Sequence, residues 1–128
     1  MCLPFVITLS WGFIETCNVV YMRSRVYAVA YEAARVATRP TTASALRVTD
    51  SAVTTLCTNL LTQVGVKGAT ATLTVVDDQT LASKTLVAAN PQDIVTVSIT
   101  APLSQNCILS LVLNKSMVLS AQATLAVE

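Results

Sequence analysis

Charged residues are almost absent from the first part of the chain. Residues 1–22 carry a single charged side chain, Glu15, in an otherwise apolar run, and about 20 such residues match the hydrocarbon thickness of a bilayer. An alanine-rich stretch continues without Gly until Pro40, which cannot continue a helix and also restricts the residue before it. The pattern predicts one long helix over residues 1–40 that begins as a membrane anchor and continues beyond the bilayer.

A second helix is predicted after this break. Thr41 or Thr42 can cap it, and its apolar positions recur near the helical period from residue 46 until Gly65. A helix in two pieces, restarting at Asp50 or Ser51, is the alternative. In either form, one face of this helix should pack on a sheet.

The remaining segments alternate with a period of two. Apolar residues alternate with Thr, Ser or Gln over 69–75, 95–100 and 119–125, which is the pattern of half-buried strands. A fourth, short strand is expected at 107–112. Residues 41–128 therefore predict an α+β head domain with a small antiparallel sheet, following the long helix of residues 1–40.

The composition changes this picture by excluding several function classes. The chain is 53% hydrophobic and 12% charged, against roughly 25% charged in ordinary soluble domains, so it needs a membrane, a partner or copies of itself. Its net charge of +1 without histidine does not provide the basic surface that nucleic acid requires. The sequence has no nucleophile motif and no Gly-rich phosphate loop, so we expect neither an enzyme nor a bound cofactor.

Two small groups of residues admit a chemical and a structural interpretation. Asp77 and Asp78 could form a cation site, but adjacent strand residues point to opposite faces, and an acidic pair at a strand end is typical of a solvated turn. Glu32 and Arg35 have the spacing of an ordinary surface ion pair on a helix. We expect the structural role in both cases.

The four cysteines lack the short paired spacings of metal sites, so no metal is expected. Cys57 and Cys107 both fall in the head domain, which is extracytoplasmic if the helix is an anchor. A disulfide between them and two buried, reduced thiols are alternatives that the sequence leaves open. Cys2 and Cys17 lie about 22 Å apart on one helix at ~1.5 Å per residue, so they cannot bridge within one chain.

Glu15 is the candidate functional residue that the pattern isolates. A carboxylate beside Trp11 and other apolar side chains costs roughly 3 kcal/mol or more in hydrocarbon unless it is partnered or protonated. Arg23 is too far along the helix for an i,i+4 contact. We therefore expect a partner on another chain, with a protonated or solvated Glu15 near the membrane interface as the alternative.

Three segments resemble a known family in order along the chain. The segments LPFVITLSWGFIETCNVVY, YEAARVATR and LSAQATLAVE resemble the TadE-like pilins and pseudopilins of tight-adherence pili, which are type IV-like. Pro4, Gly12 and Glu15 keep the family's spacing of a proline, a glycine eight residues later and a glutamate eleven residues later. Residues 41–92 carry no family signal.

The resemblance implies a structural role. Such subunits are held in the inner membrane by the N-terminal helix, are processed by a prepilin peptidase, and are extracted by assembly machinery into an extracellular filament of identical copies. The implied assembly surface comprises Glu15, Gly12, Pro4, Trp11, Arg23 and Arg25, with the two arginines marking where the filament core meets the head. A bitopic membrane protein or minor pseudopilin whose head binds a partner, without polymerising, is the alternative.

One departure from the family concerns the start of the sequence. Family precursors have a basic leader, a glycine before the cleaved bond and an acidic residue just inside the mature chain, and none of these precedes Pro4. Family spacing would put that acidic residue a few positions before Met1. We expect the numbering to start inside a longer protein, or the chain to be truncated, rather than unusual processing.

Overall fold

The computed structural model describes residues 3–39, 48–106 and 116–128. Helix α1 spans Leu3–Thr38 and helix α2 spans Asp50–Gln63. The four strands form one antiparallel sheet in the order β2-β1-β3-β4, with bounds β1 Thr70–Val76, β2 Ser83–Lys84, β3 Ile94–Pro102 and β4 Val118–Ala126. This is the predicted α+β architecture, with a long apolar helix, a second helix and a small sheet.

Helix α1 is 36 residues long, and its second half forms part of the core of the head. Val26, Ala30, Ala33 and Ala34 are buried against the sheet, where α1 contacts β3 and β4 as well as α2. Alanine side chains are short, so the helix can lie close to the strands while its helix propensity remains high. The helix ends at Thr38, as the position of Pro40 predicts.

The predicted surface pair on α1 is confirmed. Arg35 Nη1 lies 3.7 Å from Glu32 Oε2, and both side chains are about half exposed (46% and 50%). An exposed pair of this kind contributes only a few tenths of a kcal/mol to helix stability.

Helix α2 begins at Asp50, one of the two residues at which the two-piece alternative placed a restart. Its N-cap is the residue before Asp50. Thr49 is the N-cap, and its Oγ1 accepts a hydrogen bond from the Ala52 amide at 3.4 Å. The helix ends just before Gly65, as predicted, and the φ of +77° at Gly65 is a conformation that glycine adopts without strain. The amides of Val66 and Gly65 donate to the carbonyls of Leu61 and Thr62, which is a Schellman motif. The predicted caps Thr41 and Thr42 lie outside the described residues.

The three long strands confirm the alternating pattern. Their inward side chains, including Val75, Val97, Ile99 and Ala121, are buried beneath the two helices. Their outward side chains form rows of hydroxyls across the sheet, such as Thr70 opposite Thr100, whose Oγ1 atoms are 2.7 Å apart. Strand β2 was not predicted, because two residues cannot establish an alternation. The strand predicted at 107–112 lies outside the described residues.

Candidate functional site

The first part of α1 is the most exposed apolar surface in the described structure. The large side chains that precede Glu15 are between 44% and 74% exposed, and they are Leu3, Phe5, Val6, Ile7, Leu9, Trp11, Phe13 and Ile14. They surround the helix, and the segment Leu3–Ile14, called the bare segment below, is about 18 Å long at ~1.5 Å per residue. Helix α1 contains a window that is long and apolar enough to cross a membrane by length and composition.

The polar side chains of the bare segment are satisfied within the helix. Thr8 Oγ1 donates to the carbonyl of Pro4 at 3.1 Å, and Ser10 Oγ donates to that of Val6 at 2.8 Å. Thr16 Oγ1 donates to the Gly12 carbonyl at 2.8 Å in the next turn. Pro4 lies in the first turn, where its missing amide costs little. These hydroxyls therefore add no unsatisfied donor to an apolar environment.

Gly12 lies in an open groove along the helix. A Cβ placed on Gly12 would meet no atom within 4 Å, so the glycine is not required by packing within the chain. The groove is lined by Phe5, Thr8, Leu9, Gly12, Phe13 and Thr16. Because Gly12 has no side chain and its neighbours in the groove are mostly apolar, another helix or an acyl chain can approach the backbone closely here.

Glu15 marks the lower boundary of the head. It is only 6% exposed although its neighbours Phe13, Ile14, Thr16 and Cys17 are exposed, so its own chain buries it on one side of the helix. This burial does not require a second subunit. The predicted contact between Glu15 and another chain therefore stays a prediction.

A polar contact one turn further on fixes the head against α1. Asn18 Nδ2 donates to the carbonyl of Asn106 at 3.4 Å. Asn106 also binds the Lys67 amide through Oδ1 at 2.8 Å and the Pro102 carbonyl through Nδ2 at 2.8 Å. A single asparagine thus joins α1, the loop before β1 and the end of β3, and no sequence pattern indicated this role.

The two predicted boundary arginines point to different surroundings. Arg25 belongs to the head, because its Nη1 donates to the Val64 carbonyl at 2.7 Å, its Nη2 donates to Tyr21 Oη, and its guanidinium lies 4.2 Å from the centre of the Tyr21 ring. Arg23 is exposed and has no hydrogen bond or ion pair with the described residues. Arg23 is therefore the cation that remains available at this boundary.

Arg23 lines a second groove, called the boundary groove below, between α1 and strand β4. The groove is open to solvent and has a volume of about 420 Å³. It is lined by Val20, Arg23, Ser24, Tyr27, Ser120, Ala121 and Gln122. Its walls carry hydroxyl, amide and guanidinium groups, and none of the lining side chains is acidic. A volume of this size is within the range of small-molecule sites.

Cys57 faces the core of the head. Cys57 on α2 is buried, and this burial raises the pKa of its thiol group. Cys107 lies outside the described residues, so a disulfide between Cys57 and Cys107 and two reduced thiols both stay open as alternatives. A buried neutral thiol is a poor nucleophile and packs as a small apolar side chain.

A charged cluster that sequence reasoning missed lies at the opposite edge of the sheet. The Lys84 ammonium group contacts Asp77 Oδ2 and lies 3.4 Å from Asp93 Oδ2. Asp77 Oδ1 accepts hydrogen bonds from the amides of Gln79 and Thr80 at 2.8 and 2.9 Å. Asp77 therefore forms both a turn and an ion pair. The structural interpretation of Asp77 and Asp78 predicted the turn but not the ion pair.

The cluster perturbs the titration of all three groups. The hydrogen bond from Lys84, and then those from the Thr80 and Gln79 amides, hold the pKa of Asp77 well below its usual range. The hydrogen bond from the Asn90 amide lowers the pKa of Asp93. The hydrogen bond to Asp77 raises the pKa of Lys84. Each shift favours the charged form, as expected for a structural ion pair.

Comparison with known proteins does not assign this surface. No protein-family model, curated protein or solved structure matches the chain. Among the described residues there is also no group of three or more His, Cys, Asp or Glu side chains arranged to hold a metal ion.

Proposed function

We propose that this chain is a structural subunit of a bacterial surface filament, which polymerises through α1 after a period in the inner membrane. The proposal is carried by one observation, the contiguous exposure of the bare segment around its whole circumference. Large exposed patches on a folded protein mark surfaces that another molecule covers. Lipid covers this one before assembly, and copies of α1 cover it afterwards.

The magnitude of the exposure supports this order of events. Burying one large apolar side chain gains roughly 1.5–3 kcal/mol, so the bare segment as a whole represents on the order of 10–20 kcal/mol. The net stability of an ordinary domain is about 5–15 kcal/mol. A segment with this cost in water leaves the bilayer only if neighbouring helices replace the lipid, which is what a filament core provides.

The connection between α1 and the head also supports the proposal. Helix α1 continues from the bare segment into the core of the head without a break, and Arg25 and Asn18 bind the helix to the head near the boundary. Stacking of the bare segments would therefore place each head at a defined position on the outside of the bundle. The resemblance to TadE-like pilins adds the same expectation from the order of sequence segments.

The experiment is identification of this chain in sheared surface material from cells that express it. Filaments are collected by shearing and imaged by electron microscopy, and their subunits are identified by mass spectrometry together with the mature N-terminal peptide. A filament in which this chain is the dominant component supports the proposal. Recovery of the chain only in the membrane fraction, while filaments contain other subunits, would favour the alternative of a bitopic membrane protein or a minor pseudopilin.

A further inference from the structure

We propose that the boundary groove binds the headgroup of an anionic phospholipid, and that an acyl chain of this lipid lies in the groove around Gly12. The inference rests on the proposed placement of α1 in a bilayer, and it adds a specific ligand site at the membrane boundary.

The charge of the boundary groove selects an anion. Arg23 contributes the formal charge, with hydroxyls from Ser24, Tyr27 and Ser120 and an amide from Gln122 near it. Guanidinium and hydroxyl groups are standard donors to phosphate oxygens. Arg25 does not compete for the ligand because the Val64 carbonyl and Tyr21 already hold it.

The two grooves lie on one face of the helix. Leu9, Phe13, Thr16, Val20, Ser24 and Tyr27 follow one another at spacings of three or four residues, which places them along one side of an α-helix. Val20 lines the boundary groove, and Phe13 and Thr16 line the groove around Gly12. A molecule with a polar head and an apolar tail can therefore lie along this one face, with its head at Arg23 and its tail toward Phe5.

The axial distances match one leaflet of a bilayer. Thr16 and Phe5 are separated by about 16 Å at ~1.5 Å per residue, and half of the hydrocarbon core is about 15 Å thick. Arg23 lies about 10 Å above Thr16 along the same axis, near the outer side of the polar interfacial layer. The contact between Asn18 and Asn106 then falls within that layer, where polar side chains remain hydrated.

The choice of a lipid over a free anion follows from the composition of the boundary groove. Val20 and Ala121 give its wall an apolar part, and Val20 is 62% exposed in the single chain. A small inorganic anion would leave this surface in water, whereas the glycerol and first methylenes of a phospholipid would cover it. Exposed Tyr21 and Tyr27 at this level agree with the aromatic residues that are enriched at membrane interfaces.

The test uses the full chain, dispersed as a monomer in a neutral maltoside detergent, with native mass spectrometry to count bound ligand. The probes are dioleoyl phosphatidylglycerol, dioleoylglycerol without phosphate, and inorganic phosphate alone. We expect one phosphatidylglycerol per chain and no retention of the other two probes. Arg23→Gln should weaken phosphatidylglycerol binding at least about tenfold, as loss of a charge-assisted hydrogen bond does.

Arg35→Gln is the matched control. It removes the same charge from the same helix at an exposed position, and Arg35 lies outside the boundary groove, paired with Glu32. Circular dichroism and thermal unfolding of both variants establish that the fold is retained. Equal loss of phosphatidylglycerol in both variants would overturn the inference, because it would show a nonspecific charge effect.

Two further outcomes also contradict the inference. Binding of inorganic phosphate alone with similar affinity would make the boundary groove a free-anion site. If no lipid binds and the boundary groove instead cross-links to a second copy of the chain, the groove would be a subunit contact. Loss of this cross-link in Arg23→Gln would assign the contact to Arg23. The assay needs no filament, so its result is independent of the proposed function. If the chain forms filaments but binds no lipid, only this inference is refuted. If the chain binds lipid but forms no filaments, only the proposed function is refuted.

Discussion

Replacement of Gly12 separates the stability of the helix from its assembly. A Cβ at this position meets nothing within 4 Å in the single chain, so a larger side chain can begin there without a clash. Glycine in a helix interior is less favourable than alanine or leucine by about 0.5–1 kcal/mol. The substitution should therefore stabilise the bare segment, with amide exchange of residues 3–14 in detergent slowed about two- to fivefold at ~1.4 kcal/mol per tenfold.

Filament assembly should change in the opposite direction. The side chain of leucine occupies the groove that would allow another helix to approach closely, so Gly12→Leu should reduce the filament yield seen by electron microscopy by a large factor. Gly12→Ala is the control, because it provides the same gain in helix propensity with one methyl group. Filament yields that stay at the unmodified level in Gly12→Leu, with slowed exchange confirming the substituted helix, would refute the idea that Gly12 lies in a close helix contact.

The remaining predictions concern the head domain. Ile99→Ala removes a fully buried side chain from the central strand β3 and should lower the free energy of unfolding by about 2–5 kcal/mol, measured by urea denaturation; a loss below 1 kcal/mol would contradict a packed core. Thr49→Ala removes the N-cap of α2 and should cost about 0.5–2 kcal/mol in the same assay, whereas Thr55→Ala, which removes only a bond to the preceding turn, should cost less. The ion-pair cluster should stabilise the head fully between about pH 4 and pH 10. Its contribution should be lost as the pH falls from about 4 through the lowered pKa of Asp77, and also as the pH rises above ~10.4 through the raised pKa of Lys84. Lys84→Met should remove the alkaline loss and reduce the acid loss, and an unchanged pH profile of the urea midpoint would show that the pair contributes nothing.

The elements that the sequence predicts are those with a long, regular pattern. Helix α1 follows from its apolar run and from the absence of Gly and Pro between Gly12 and Pro40, and β1, β3 and β4 follow from strict alternation of apolar and polar residues. The end of α2 follows from Gly65, since few residues tolerate the backbone angle that closes a Schellman motif. Each of these features is local, so a short window of sequence contains the whole physical reason for it.

The features that the sequence does not predict depend on single long-range contacts. Lys84 meets Asp77 and Asp93 only because β2 folds back beside β1, and no periodicity marks a strand of two residues. Asn106 joins α1 to the head across 88 residues of sequence. A lone asparagine or lysine in a sequence carries no indication of its partner, because the partner is chosen by the tertiary fold.

The candidate site illustrates the same limit within one helix. In a segment that is apolar on all sides, hydrophobic periodicity cannot identify which side faces the head. The prediction that Glu15 contacts another chain therefore depended only on the cost of a carboxylate in hydrocarbon, and not on its position around the helix. The structure shows that Glu15 shares a helix face with the buried residues Met22 and Val26, at intervals of seven and eleven. The face of Leu9, Phe13 and Val20 is the uncharged one that remains exposed.

The two sides of α1 therefore differ in their surroundings, because one is covered by the chain and the other is exposed. The side of Glu15 is covered by the chain itself, so the proposed burial of the bare segment in lipid or in a filament would not have to desolvate this side chain. An exposed carboxylate there would add roughly 3 kcal/mol or more to the cost of residence in hydrocarbon. Confining Glu15 to the covered side leaves the outward face of the bare segment with apolar side chains and internally bonded hydroxyls. Such a face can exchange acyl chains for neighbouring helices without breaking a polar contact, which is the property that the proposed passage from a membrane into a filament would require.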